Sequence, residues 1–328
     1  MVDVSTLQPL LVGALALAIL VKSAQTAVGA LIRLAKHYDV PDVVVGVTIV
    51  AVGTSLPEIG SHVIASLGIV SGALDYTVTS ATVLGGNMGS SVTQQLLLFG
   101  IFLVGYGRYR PRQVFLTSTF VPMVLASVLV LAVAFDGTIS RVDGLVLLAA
   151  YVAHTYYAVT HRERGGVPPE PESKRVGRDA LIALLGLVGV VVGSYVVLET
   201  VEIIVARLRL GGSMVGLVTI GLASALPELS TVFEGLRRRA PDIAVGTLVG
   251  SNIVNPLLAI GLGGAISTYQ VPEAVVVWDL PVKILAGVVV LGWVWTLGKG
   301  SLGRREGFYM VVAYFAFVSG RLLLFAAQ

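Results

Sequence analysis

The stretch VVVGVTIVAVGTSLPEIGSHVIASLGIV, residues 43 to 70, is apolar for long enough to cross a bilayer, yet Thr54-Ser55-Leu56-Pro57-Glu58 interrupts it with two hydroxyls, a helix breaker and a carboxylate. Runs of roughly 20 apolar residues, the length a helix needs to span hydrocarbon, recur from one end of the sequence to the other. Hydrophobic residues make up 55% of the 328, charged residues only 12%, and mean hydropathy is +0.90. A soluble chain so poor in charge would expose large apolar patches, so the sequence reads as one integral membrane domain. It holds no cysteine, which excludes disulfides, thiolate metal sites and cysteine nucleophiles. The opening MVDVSTLQPLLVGALALAIL lacks a positive leader region and a clear cleavage site, and reads as the start of a retained first span.

Hydropathy gives roughly ten spans, all helical, because lipid offers no partner to unpaired backbone groups. Their limits are near 7 to 35, 42 to 69, 76 to 104, 113 to 135, 143 to 160, 180 to 206, 213 to 236, 241 to 268, 278 to 297 and 307 to 326. The first and sixth are long enough to tilt. The hydrophilic insert HRERGGVPPEPESKRVGRD, residues 161 to 179, reads as a linker between a first five-helix repeat, 1 to 160, and a second, 180 to 328.

Basic residues set the orientation. With the N-terminus outside, the inner loops collect Arg33 and Lys36, Arg108, Arg110 and Arg112, the linker bases, Arg237 to Arg239, and Lys299, Arg304 and Arg305, leaving Arg141, Arg207 and Arg209 outside. Both termini are then expected outside and the linker in the cytoplasm. The pI of 9.2 reflects this topology and not a nucleic-acid partner.

The second half repeats the interruption. GLVTIGLASALPELSTVFEGL in span seven matches GVTIVAVGTSLPEIGSHVIASL in span two about a shared Leu-Pro-Glu, so Glu228 answers Glu58. VLGGNMGSSVTQQ (83 to 95) in span three likewise answers TLVGSNIVNPL (247 to 257) in span eight. An odd number of spans separates the copies, so two halves that fold alike must sit in opposite orientations. That is the inverted-repeat plan of secondary transporters, whose site lies near the midplane at broken helices, here two, three, seven and eight.

The interruption then has a physical purpose. Proline removes a backbone donor and frees carbonyls in the preceding turn, and the hydroxyls add short oxygens. A glutamate at that depth costs roughly 2.5 to 3.5 kcal/mol, by analogy with other charged residues, unless something compensates it. Two facing glutamates repel, so they share a proton or hold a cation between them. Carboxylate, hydroxyl, amide and carbonyl oxygens are the ligands that hard cations take.

The motifs GTSLPE and GSNIVN, with their partners ALPE and GGNMGSSVTQQ, resemble the two alpha-repeats of the cation/calcium exchanger superfamily, whose best-known branch is the sodium/calcium exchanger. The likeness covers about residues 40 to 100 and 210 to 262, and the family's ten-span inverted architecture fits the whole chain. It implies that Glu58 and Glu228 are central carboxylates shared between calcium and competing sodium ions. Thr54 and Ser224 would supply calcium-coordinating oxygens, Ser55, Ser90 and Ser251 sodium ligands, and the carbonyls of Ala51 and Gly221 the outer sodium sites. Gln94 and Asn255 stand where relatives carry asparagine or aspartate. The resemblance further implies a transporter and not an enzyme, and the short linker, with no large regulatory domain like that of animal exchangers, points to a prokaryotic plasma membrane. Calcium and sodium are expected as transported ions, with no organic cofactor and a single subunit sufficing.

Three departures accompany it. Ala225 replaces the serine expected opposite Ser55, Gln94 is longer than the usual asparagine, and neither 94 nor 255 is acidic, which disfavours potassium coupling. Proton-coupled branches carry a carboxylate at the end of the Gly-Asn segment in spans three and eight, and GGNMGSSVTQQ has none. Sodium coupling is therefore the preferred reading and proton/calcium exchange the alternative. A cation channel lined by paired glutamates is a further class. An intramembrane hydrolase is disfavoured by the absence of a His-Glu-x-x-His motif and by histidines scattered at 37, 62, 154 and 161. Glu199 and Glu202 are expected at an interface, Glu234 in a local ion pair, Lys22 snorkelling or in the bundle, and His62 buried and satisfied or coupled to pH.

Overall fold

The computed structural model of the chain describes residues 4–38, 51–161, 173, 175–208, 211–238, 241–298 and 300–326. Residues 42–50 of span two, most of the linker, Arg209, Arg239 and Lys299 fall outside these, as do the side chains of Glu202 and Glu234.

Helices dominate, as the hydropathy and the lipid argument require. Span one is Val4–His37, and span two is Ala51–Thr54 followed by Leu56–Ser71. Span three runs Tyr76–Val92, a π-helical turn Thr93–Leu98, then Phe99–Tyr106. Span four is Gln113–Phe115, a π turn Leu116–Phe120 and Val121–Val133; span five is Arg141–His161. Span six, Val176–Leu208, begins inside the stretch read as linker. It does so because Asp179 is held in its first turn by Arg33 of span one at 2.9 Å and by Ser173 at 2.7 Å.

Span seven is in three pieces, Gly212–Val218, Ile220–Ser224 and Leu226–Arg238. Span eight is Pro241–Val254, a π turn Asn255–Ala259 and Ile260–Ile266. Span nine is a π turn Val275–Asp279 and Leu280–Trp295, and span ten is Arg304–Phe325. Among the described residues eight of these helices are long and apolar enough to cross a membrane, with spans three and eight the most buried.

The two halves carry the same irregularities at matching places. Spans two and seven break at Leu-Pro-Glu, spans three and eight widen into π turns instead of breaking, and spans four and nine do so again. Four two-residue strands, absent from the all-helical expectation, clip the loops: β1 (Arg108–Tyr109) pairs with β4 (Leu302–Gly303), and β2 (Thr138–Ile139) with β3 (Tyr269–Gln270). Exchanging the halves exchanges the two clips, which is the signature of an inverted repeat.

Glycine sets how closely the spans cross. A Cβ on Gly85 would strike the Ser213 backbone, one on Gly216 the Thr82 carbonyl, and one on Gly89 the Leu217 carbonyl, so spans three and seven meet backbone to backbone. Spans six and one are also close, with Gly186 against the backbone of Ala27 and Ser23 and Gly189 against the Ser23 side chain. Without a hydrophobic drive between helices in lipid, such close approach is what holds spans together.

Candidate functional site

At the break in span two, Ser55 N–H reaches back only to Val52 at 3.2 Å, and a new helix starts at Leu56 with Pro57 in its first turn. Proline is tolerated there because a first-turn N–H has no intrahelical partner anyway. Glu58 therefore lies at a helix N-terminus in mid-span, where the helix dipole favours an anion. Span seven repeats the device with Pro227 and Glu228. Thr219 adds a bend by donating its hydroxyl to the Val215 carbonyl at 2.6 Å.

Both glutamates are buried, at 1% and 0% exposure. Each is met by the serine of the widened span beside it. Ser90 Oγ donates to Glu58 Oε1 at 2.5 Å, and Ser251 Oγ donates to Glu228 Oε1 at 3.1 Å. Glu58 also accepts from Asn255 Nδ2 at 3.3 Å, and the Ser224 hydroxyl lies near it. Thr54 Oγ1 lies 3.0 Å from Ser251 Oγ, so a hydroxyl relay joins span two to span eight and on to Glu228. The two carboxylates lie within range of each other's charge. Glu58, Glu228, Thr54, Ser224, Ser90, Ser251, Gln94 and Asn255 thus converge on one locus.

The locus has surplus oxygen. Glu58 Oε2, Ser55 Oγ, Asn255 Oδ1 and Asn252 Oδ1 are buried without a hydrogen-bond partner among the described residues. Buried acceptors in a native fold are almost always paired, so a group of unpaired oxygens around two carboxylates fits a cation as the missing partner. Ser55 is fully buried, whereas the equivalent Ala225 brings no hydroxyl. Ala51 opens the short helix before the break, and the Gly221 carbonyl accepts weakly from Ser224 at 3.4 Å. No contact ties either carbonyl to the carboxylates.

Gln94 uses its extra methylene to bridge the two widened spans. Its Nε2 donates to Ser90 Oγ at 3.1 Å and its Oε1 accepts from Asn252 Nδ2 at 2.9 Å. Asn252 stands inside GSNIVN and joins the site, although the motif alone does not mark it. Nor does it mark Asn87, whose Nδ2 donates to the Asn255 carbonyl at 2.9 Å. His62 is buried and bonded on both ring nitrogens, while Lys22 is exposed on span one and Glu199 exposed on span six.

Other buried charges lie apart from this locus. Arg321 of span ten, fully buried, pairs with Asp279 of span nine at 3.1 Å and donates to Ser213 of span seven at 2.6 Å. Lys283 of span nine is 2% exposed, and its ammonium meets no hydrogen-bond acceptor among the described residues. Hydropathy windows average such single charges away.

An inverted-repeat bundle with paired, oxygen-rich helix breaks is the architecture of a membrane transporter of the cation/calcium exchanger superfamily. The chain belongs to the sodium/calcium exchanger protein family, whose model matches residues 9–160 and 179–323. Among its relatives, the inner membrane protein YrbG of Escherichia coli K12 is 28% identical over 287 residues, covering 83% of this chain and 84% of that protein. The sodium/calcium exchanger MaX1 of Methanosarcina acetivorans is 23% identical over 346 residues, covering 93% and 95%. A solved structure of the sodium-calcium exchanger NCX_Mj, soaked with Na+ and Sr2+, shares the fold at a TM-score of 0.63 and 20% identity, over 96% of this chain and 99% of that one.

Proposed function

We propose that this chain is a secondary-active antiporter that exchanges calcium for sodium by alternating access, with Glu58 and Glu228 as the shared carboxylates. The observation that carries the reading is the pair of buried glutamates, each at a helix break and each met by a serine of the widened span that follows it. Calcium takes six to eight oxygens, and the carboxylates, Thr54, Ser224 and the unpaired amide and hydroxyl oxygens are candidates to supply them. Sodium ions use overlapping oxygens, with Ser55, Ser90, Ser251 and the Ala51 and Gly221 carbonyls as their proposed ligands, and Ala225 leaves one such place without a hydroxyl.

Exchange follows from charge. Two carboxylates with a bound divalent ion, or with several sodium ions, are neutral enough to pass through a closed state; the bare pair is not. The moving part in this reading is spans one and six, fastened to each other by their glycine seam and by the Arg33–Asp179 ion pair. This pair crosses span two at Gly53 and Gly60, on either side of Ser55 and Glu58. In this reading every proposed ligand comes from one chain, and a single subunit is taken to suffice. Two five-span halves, 1–160 and 180–328, joined by a cytoplasmic linker with both termini outside, in a prokaryotic plasma membrane, complete the proposal.

The test is calcium-45 uptake into liposomes holding the purified protein. Sodium-loaded vesicles diluted into sodium-free buffer are compared with vesicles carrying a pH gradient and no sodium. Uptake driven by sodium alone supports the proposal; uptake driven by the pH gradient alone replaces sodium with protons; calcium flux needing neither gradient makes the chain a channel.

A further inference from the structure

The two halves of the site are not braced alike. On one side a polar chain leads away from Glu58. Asn255 Nδ2 donates to Glu58, and the Asn255 main-chain carbonyl, at the first position of the π turn, accepts from Asn87 Nδ2 at 2.9 Å. Asn87 Nδ2 also lies 3.2 Å from His62 Nε2, and His62 Nδ1 lies 3.1 Å from the Tyr269 hydroxyl in β3. Tyr269 is anchored in turn by Ser66 Oγ at 2.7 Å and the His62 carbonyl at 3.0 Å. Its ring and hydroxyl fill the notch left by Gly263.

The hydrogen positions in this chain follow by elimination. A main-chain carbonyl only accepts, so the amide nitrogen of Asn87, and not its oxygen, faces Asn255. That nitrogen has only protons to offer His62, so Nε2 must be the bare, accepting nitrogen. The ring proton then sits on Nδ1 and is donated to the Tyr269 hydroxyl, which also hydrogen-bonds Ser66 and the His62 carbonyl.

Among the described residues the other half does not repeat the His62–Asn87 link. The repeat that equates Glu58 with Glu228 equates His62 with Val232, and the one that equates Ser90 with Ser251 equates Asn87 with Leu248. Val232 and Leu248 are both in the apolar core. The strand pairing that matches β3 to β1 sets exposed Arg108 against Tyr269.

We infer that His62 is a positioning residue for the cation site: through Asn87 it fixes the Asn255 turn, and so the amide against Glu58, on one side of the pseudo-twofold only. This rests on the Glu58 locus being the transported ion's site. Outer-shell partners of this sort change metal affinity by about 10- to 100-fold when removed. The inference predicts that His62→Val and Asn87→Leu, which install the residues of the other half, each raise the apparent KM for calcium about tenfold with a smaller change in maximal rate. The double variant is no worse than either single, because both cut the same chain. His62→Gln, which keeps an acceptor for Asn87, recovers part of the loss.

Two measurements decide it, both on the full chain in lipid. The first is nitrogen-15 NMR of histidine-labelled protein in nanodiscs, the His62 signal identified by its loss in His62→Gln. A proton on Nδ1 is expected, and a proton on Nε2 overturns the inference. The second is the calcium-45 KM cycle. Additive singles, or His62→Val at the wild-type KM, overturn the brace alone, whereas a wild-type protein that takes up no calcium defeats the proposed function whichever nitrogen carries the proton.

Discussion

The hydroxyl of Ser90 lies 2.5 Å from Oε1 of Glu58, donated across from span three to span two. Its counterpart Ser251 divides itself between Glu228 and Thr54. The difference is testable. Hydrogen bonds to charged groups contribute about 1.5–3 kcal/mol, so Ser90→Ala and Ser251→Ala should each weaken calcium affinity by about tenfold or more. Because Thr54 acts through Ser251, Thr54→Val combined with Ser251→Ala should cost less than the sum, by about 0.5–3 kcal/mol in a binding cycle read by isothermal titration. Strict additivity would dissolve the relay.

The glycine seam makes a second prediction, on stability. Gly216→Ala drives a methyl into the Thr82 carbonyl of span three, and overpacking of this kind costs about 1–3 kcal/mol. Gly292, with nothing within 4 Å of its missing Cβ, is the control. There alanine should be neutral, or stabilise by about 0.4–1 kcal/mol through the unfolded chain. Thermal melting of the two variants in one detergent compares them directly.

The Arg321–Asp279 pair supplies a third. Removing one member of a buried ion pair strands the other charge and costs about 3–5 kcal/mol, whereas replacing both with apolar residues is often close to neutral. Arg321→Met should therefore melt well below wild type and Arg321→Met with Asp279→Leu close to it. A double variant as unstable as the single would mean that the bond to Ser213 matters more than the pairing.

Lys283 gives a prediction of opposite sign. A buried polar group without a hydrogen bond is paid for elsewhere in the fold, at about 1–3 kcal/mol on protein mutational scales. Lys283→Met keeps the length and removes the amine, so the melting temperature should rise; a fall would show that the amine has a partner in the membrane.

The parts of this account that could be read from sequence are those that occur twice. Glu58 and Glu228, Ser90 and Ser251, and Gln94 and Asn255 stand out because a motif repeated an odd number of spans later admits few explanations. Residues that work alone left less trace. Asn252 and Asn87 reach the site only because the helix turns them toward a neighbouring span, and Tyr269 comes from a loop whose strand pairing no periodicity announces. The π turns of spans three and eight have no composition of their own. Arg321, Asp279 and Lys283 sit within hydropathy windows that still average apolar, and Asp179 reads as linker because nothing local in the sequence shows Arg33 beside it.

The central claim is that Glu58 and Glu228 are the carboxylates on which calcium is carried. Sodium-driven calcium-45 uptake by wild type, Glu58→Gln and Glu228→Gln, measured side by side in the same liposomes, tests it most directly. Glutamine keeps the shape and removes the charge, so the account predicts uptake by wild type and only the rate of protein-free vesicles for both variants. Uptake near the wild-type rate in either variant would contradict it.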